Sequence, residues 1–142
     1  MAAATTPRPS TPARTSAGPV YSALIGLVAL AVLLQGLSAG IFLEHDGRRD
    51  AASGWIDLHA GVADLGILLG ILATVYAVAT LRSRRDLVVG TLVLTVLMVV
   101  ETVLGGLIRD HHKDTLTAVH VPLAMALMAL VVWLPMRAVR RD

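Results

Sequence analysis

The sequence predicts an all-α membrane protein, a four-transmembrane-helix up-down bundle with an internal two-hairpin repeat. Three observations predict it. The 142-residue chain is 56% hydrophobic and only 15% charged, with a mean hydropathy of +0.74, more apolar material than a soluble domain of this length can hide. Four apolar runs, 20–43, 58–81, 87–108 and 116–136, each exceed the roughly 20 residues a helix needs to cross the hydrocarbon core. The basic residues are confined to the ends and the short connections between those runs.

Residues 1–19 are rich in Ala, Thr, Pro and Ser, carry four prolines and lack an apolar run. They are expected to form a disordered cytoplasmic tail. The run 20–43 is too long for the h-region of a cleaved signal peptide, and no convincing cleavage site follows it. None of the four runs alternates with a period of two, which argues against strands of a membrane barrel. Residues 137–142 form a short basic tail, and 20–136 a single transmembrane domain.

Orientation follows from the arginines and the lysine. Arg8, Arg14, Arg82, Arg84, Arg85, Arg137, Arg140 and Arg141 fall on one side, and Arg48, Arg49, Arg109 and Lys113 on the other. An excess of Lys/Arg marks cytoplasmic segments, so both termini and the middle loop are expected in the cytoplasm of a multi-pass plasma-membrane protein. Tyr21, Trp55 and Trp133 sit at span ends, where amphipathic rings favour the interface. A net charge of +2 and no cysteine exclude nucleic-acid binding as an electrostatic inference, and also disulfides and thiolate–metal sites.

The first two spans resemble the last two. Gln35 matches Glu101 and Gly40 matches Gly106, both at an offset of 66, and Leu58-His59-Ala60 matches Val119-His120-Val121 at an offset of 61. The two hairpins run in the same direction, so the implied pseudo-twofold axis lies along the membrane normal.

Ionisable residues inside a bilayer are functional candidates by default. His59 and His120 hold equivalent repeat positions at similar depth near the outer face. Taken singly, each also reads as an interfacial imidazole bonded to loop backbone or water. In an up-down bundle their helices are diagonal neighbours, about 11–14 Å apart if adjacent axes are 8–10 Å apart. That span suits two histidines on opposite sides of a haem iron, which takes axial imidazoles readily, and is too wide for a compact zinc site. Ala63, Gly66 and Gly70 follow His59 at helical spacings, and Ala124 follows His120 by four. Such a stripe could admit a flat macrocycle. It equally lets helices pack closely, as do the GxxxG pairs Gly36–Gly40 and Gly66–Gly70. Pro122 is expected to loosen the outer turn of the fourth helix.

Glu101 and Asp64 are the candidates for a catalytic or proton-relay role. A bare carboxylate at their depth is costly, so each is protonated or paired. The plain alternative is a neutral Glu101 bonded to Gln35 or Asp64. Asp57, at the start of the second helix, suits the positive end of the helix dipole. His45, His111 and His112 lie in outer loops, and 109–114 reads either as a metal- or acid-binding turn or as a solvated one.

On these residues the chain resembles one four-helix half of a haem A synthase. Glu101-Thr102-Val103-Leu104-Gly105 is similar to that family's Gln-x-x-Leu-Gly segment, and Ala118-Val119-His120-Val121-Pro122-Leu123-Ala124 to its fourth-helix histidine segment. The likeness covers roughly 20–136. It implies haem carried between His59 and His120. Where the family has a Glu three residues before the second-helix histidine, this chain has Ile56; the family's loop cysteines are missing, and the chain is half as long. With those departures the resemblance implies a haem-carrying relative rather than haem A synthesis itself, with a homodimer restoring an eight-helix body.

Three functions are thus expected in competition. The first is a haem b-binding membrane protein with bis-histidine ligation, serving electron transfer or haem-linked oxidation. The second is a non-enzymatic small subunit or assembly factor of a larger membrane (respiratory) complex, and the third a small carrier using Glu101 and Asp64.

Overall fold

The computed structural model describes residues 17–45 and 48–139. The expected tail falls largely on 1–16, outside the described residues, as do residues 140–142. The described chain forms four long helices, α1 (Gly18–Leu43), α2 (Ser53–Thr80), α3 (Arg85–His111) and α4 (Thr117–Val139), with one 3-10 turn at Asp114–Leu116. All four are long and apolar enough to cross a membrane, and no strand occurs among the described residues.

Each helix extends past its apolar run at one end or both. At the start of α1, Gly18 has φ +73°, a left-handed turn that glycine adopts at little cost, and Pro19 occupies the first helical turn, where its missing N–H is not needed. Gly18 and Pro19 therefore belong to the helix and not to the expected tail. Helix α2 begins at Ser53, not near Leu58. Asp57 consequently lies beyond the first turn and does not serve the helix N-terminus as expected. Pro122 and Pro135 both lie inside α4.

The helices form a four-cornered up-down bundle. Helix α1 packs on α2 and α4, and α3 packs on α2 and α4, while the diagonal pairs α1/α3 and α2/α4 make no backbone contact. The diagonals are crossed by side chains. At the end carrying the termini, the Tyr21 hydroxyl on α1 meets Thr91 Oγ1 on α3 at 2.7 Å. Tyr21 is fully buried; it is a core residue and not the interfacial ring its position in the run suggests. Trp55 and Trp133, by contrast, are partly exposed at helix ends.

The apolar core is asymmetric. Its buried members are Tyr21, Ile25, Val28 and Val32 on α1, Ala73 and Ala77 on α2, Leu87, Leu94 and Met98 on α3, and Leu127, Val131, Leu134 and Ala138 on α4. All lie in the half of the bundle nearer the termini. In the other half, α1 beyond Val32, α2 before Gly66, α3 beyond Met98 and α4 before Leu127 contribute only Ser38 and Glu101 as buried residues. That half is lined by partly buried side chains.

Each end is tied by an arginine. Near the termini, Arg84 is 4% exposed. It holds Asp86 through two contacts of 3.2 and 3.1 Å and donates to the Arg137 carbonyl at the end of α4 at 2.7 Å. Arg137 meets Asp86 in turn at 3.1 Å. At the opposite end, Arg49 donates to the Ile108 and Arg109 carbonyls at 3.2 Å each and pairs with Asp114, satisfying carbonyls that the last turn of α3 leaves open.

Candidate functional site

The polar interior of the half away from the termini is built by all four helices. His59 on α2 and His120 on α4 meet across the diagonal, their ring centroids 6.5 Å apart and their planes at 64°. The equivalence of the two hairpins carries through to their contacts. In the first hairpin, Gln35 Nε2 donates to the His59 carbonyl at 2.5 Å, and His59 Nδ1 lies 3.1 Å from both the Gln35 carbonyl and Ser38 Oγ. In the second, Glu101 Oε2 stands 2.6 Å from His120 Nδ1. The residue pairs matched by the repeat are thus neighbours in both hairpins, Gln35 with His59 and Glu101 with His120.

Glu101 is 7% exposed. Its approach to His120 is close but off the hydrogen-bonding direction, and neither carboxylate oxygen nor His120 Nδ1 has a hydrogen-bond partner among the described residues. Glu101 does not reach Gln35 or Asp64, the partners expected for it. Phe42 closes the site on α1, edge-on to His59 at 5.5 Å. Gly105 on α3 faces His120: a methyl group there would sit 3.7 Å from His120 Cε1, an ordinary contact.

On each ring Nδ1 is the atom nearest a polar neighbour, hydrogen-bonded on His59 and only in close approach on His120, and neither Nε2 makes a hydrogen bond among the described residues.

Other expected site residues fall elsewhere. Asp64 is exposed on the outward face of α2, away from the histidines. Ala63 and Ala124 are partly buried one turn below their histidines. Gly66 and Gly70 face α3: a methyl group at Gly66 would meet Met98 Cε at 2.6 Å, and one at Gly70 would meet Thr95 Oγ1 at 2.9 Å. Both glycines thus allow close packing of α2 against α3. Gly36 and Gly40 face open space. In the loops, His45 Nδ1 bonds the Ile41 carbonyl at 3.0 Å, and His112 ends α3 with φ 52°. No group of three His, Asp or Glu residues is placed to hold a metal among the described residues; of 109–114, Arg109–His111 complete α3 and Asp114 pairs with Arg49.

Sequence reasoning passed over Ser38 and Phe42. Ser38 lies three residues after Gln35, so it shares that face of α1, and this spacing was the available signal. No protein-family model, curated protein or solved structure matches the chain.

Proposed function

We propose that the chain is a haem b-binding membrane protein in which His59 and His120 are the axial ligands, a single-unit relative of one half of a haem A synthase that serves electron transfer or haem-linked oxidation. The observation that carries this reading is the 6.5 Å separation of the two rings across the bundle diagonal, with neither Nε2 hydrogen-bonded among the described residues. Two metal–nitrogen bonds of roughly 2 Å with the metal between the rings separate the centroids by about 6 Å. The surroundings support it. Apart from Ala52 at the start of α2, this half of the bundle buries no apolar residue among the described ones, and it holds a buried carboxylate without a hydrogen-bond partner.

Haem supplies a one-electron couple when bound. The protein's own part is to fix the two imidazoles. The Gln35 carbonyl at His59 Nδ1 selects the tautomer with Nε2 free and raises ligand basicity, and Glu101 stands close to the same atom of His120. Phe42 limits water at the His59 edge. The segregation of arginines and lysine supports a plasma-membrane location with both termini in the cytoplasm.

The test is the absorption spectrum of the purified full-length protein, oxidised and reduced. A low-spin bis-histidine spectrum that is lost or converted in His59→Ala and in His120→Ala supports the reading. A colourless preparation from haem-replete cells overturns it.

A second reading, a small subunit or assembly factor of a larger membrane complex, is favoured by Asp64. This carboxylate is exposed on α2 beside Leu58, Leu65 and Leu68, which are also exposed. A charge facing lipid costs about 3 kcal/mol, a cost that a partner helix with a donor at that depth removes. Co-purification of a partner that survives the His59→Ala/His120→Ala double substitution and fails in Asp64→Leu supports it; retention of the partner by Asp64→Leu counts against it.

A further inference from the structure

At the end of the bundle that carries the termini, the loop between α2 and α3 brings together three arginines with different fates. Arg84 turns inward onto Asp86 and the α4 carbonyl. Arg82 and Arg85 turn outward and are exposed. Arg82 Nε lies on the Val78 carbonyl at 3.0 Å, and neither Arg82 nor Arg85 has an acidic partner among the described residues. Asp86, the one carboxylate nearby, is already held by Arg84 and Arg137.

Between these two arginines lies an open groove of about 210 Å³, lined by Val78, Arg82, Arg85, Val88 and Val89. Its floor is three valines from two adjacent helices, and Arg82 and Arg85 line it at the end where the helices leave the apolar layer. An apolar trough topped by paired cations complements one class of molecule above others: a lipid whose acyl chain lies along the valines and whose phosphate sits between the cations. Arginine's planar fork suits phosphate oxygens, and basic pockets between membrane helices take anionic head groups. The volume holds a head-group phosphate and the first acyl carbons, not a whole lipid, so the rest of the molecule remains in the bilayer.

We infer that the α2–α3 groove at Arg82 and Arg85 is a binding site for an anionic glycerophospholipid. The site is at the opposite end of the bundle from the histidines and stands independently of the haem reading.

The full-length protein is exchanged into mixed phosphatidylglycerol and phosphatidylcholine vesicles, extracted in mild detergent, and its retained lipids are measured by native mass spectrometry. Phosphatidylglycerol is expected to be retained in preference to phosphatidylcholine. Arg82→Gln and Arg85→Gln should each weaken that retention roughly fivefold, Arg→Lys at either position should restore most of it, and Val89→Trp should abolish it with both charges intact. Arg48→Gln, at the other end of the bundle, should leave retention unchanged. Equal retention of the two lipids, or unaltered retention in the Arg82→Gln/Arg85→Gln double variant, overturns the site. So does an equal loss in Arg48→Gln, which would mean bulk attraction. Saturable binding of inorganic phosphate that phosphatidylglycerol does not displace overturns it in favour of a free phosphate ligand.

Discussion

Glu101 Oε2 lies 2.6 Å from His120 Nδ1, inside a membrane bundle and with no hydrogen-bond partner for either atom among the described residues. Each group is therefore the principal polar neighbour of the other. Removing one leaves the other buried alone, whereas removing both leaves two apolar surfaces that can close together. Glu101→Leu and His120→Leu should each destabilise the fold by about 2–4 kcal/mol. The Glu101→Leu/His120→Leu double variant should cost less than either. Reversible unfolding in mixed detergent micelles measures this, and strictly additive losses would show that the contact carries no energy.

The glycines divide by what stands beside them. At Gly90 a methyl group would meet Leu134 Cδ2 and Trp133 Cζ3, both at 2.9 Å, while at Gly36, Gly40 and Gly106 it would meet nothing within 4 Å. Gly90→Ala should cost about 1–3 kcal/mol, because the buried Leu134 side chain and the Trp133 ring on the facing helix both have to move. Gly66→Ala meets only the flexible end of Met98 and should cost less. Gly36→Ala and Gly40→Ala should be neutral or slightly stabilising, since alanine loses less chain entropy in a helix. The same unfolding measurement on the set of variants checks the order. A loss at Gly36 or Gly40 as large as that at Gly90 would mean that this α1 face packs against another chain.

How much of this was legible in the sequence depends on the residue. The four helices were, because runs of more than 20 apolar residues admit no other structure in a bilayer. The meeting of His59 and His120 was legible from the repeat, since equivalent positions in two parallel hairpins fall on opposite corners at one depth. Helix phase was not. The spans are apolar on every side, so nothing marks the buried face, and Asp64 could not be told from an inward residue although it faces outward. For the same reason Tyr21, one turn inside its helix, reads as interfacial yet fills the core. Small residues look alike in sequence: Gly66 and Gly70 meet α3, Gly36 and Gly40 meet nothing, and only the neighbouring helix decides. The fates of Arg82, Arg84 and Arg85 likewise depend on where Asp86 and the end of α4 stand.

Arg84 gives a sharper test of that last point. It is 4% exposed, grips Asp86 with two nitrogens and satisfies the Arg137 carbonyl. Arg84→Gln should destabilise the fold by about 2–4 kcal/mol, since it removes a buried guanidinium that holds a partly buried carboxylate and an open helix-end carbonyl. Arg84→Lys should recover only part, because an ammonium cannot reproduce the planar fork. Arg49→Gln at the other end should cost about 1 kcal/mol or less, its Asp114 partner being largely solvated. Equal losses at Arg84 and Arg49 would contradict the difference in burial.

Stability should also report on the proposed cofactor. A group that binds the folded bundle and not the unfolded chain adds RT ln(1 + [L]/Kd), about 2.7 kcal/mol when ligand stands at a hundredfold excess over Kd. The gain should be concentrated in the half of the bundle away from the apolar core, because that half has least packing of its own. Protein from haem-deficient cells should therefore unfold at lower temperature than protein from haem-replete cells, and added haemin should restore the difference. Amide hydrogen exchange should show the protection arising in α2 around His59 and in α4 around His120, with residues near Tyr21 and Thr91 unchanged. His59→Ala/His120→Ala should remove the haem-dependent increment, and should itself lower the haem-free melting temperature because it strands Glu101. An increment that persists in that double variant would place the haem elsewhere or make its binding non-specific, and no increment in the wild type would remove the histidine pair from consideration as ligands.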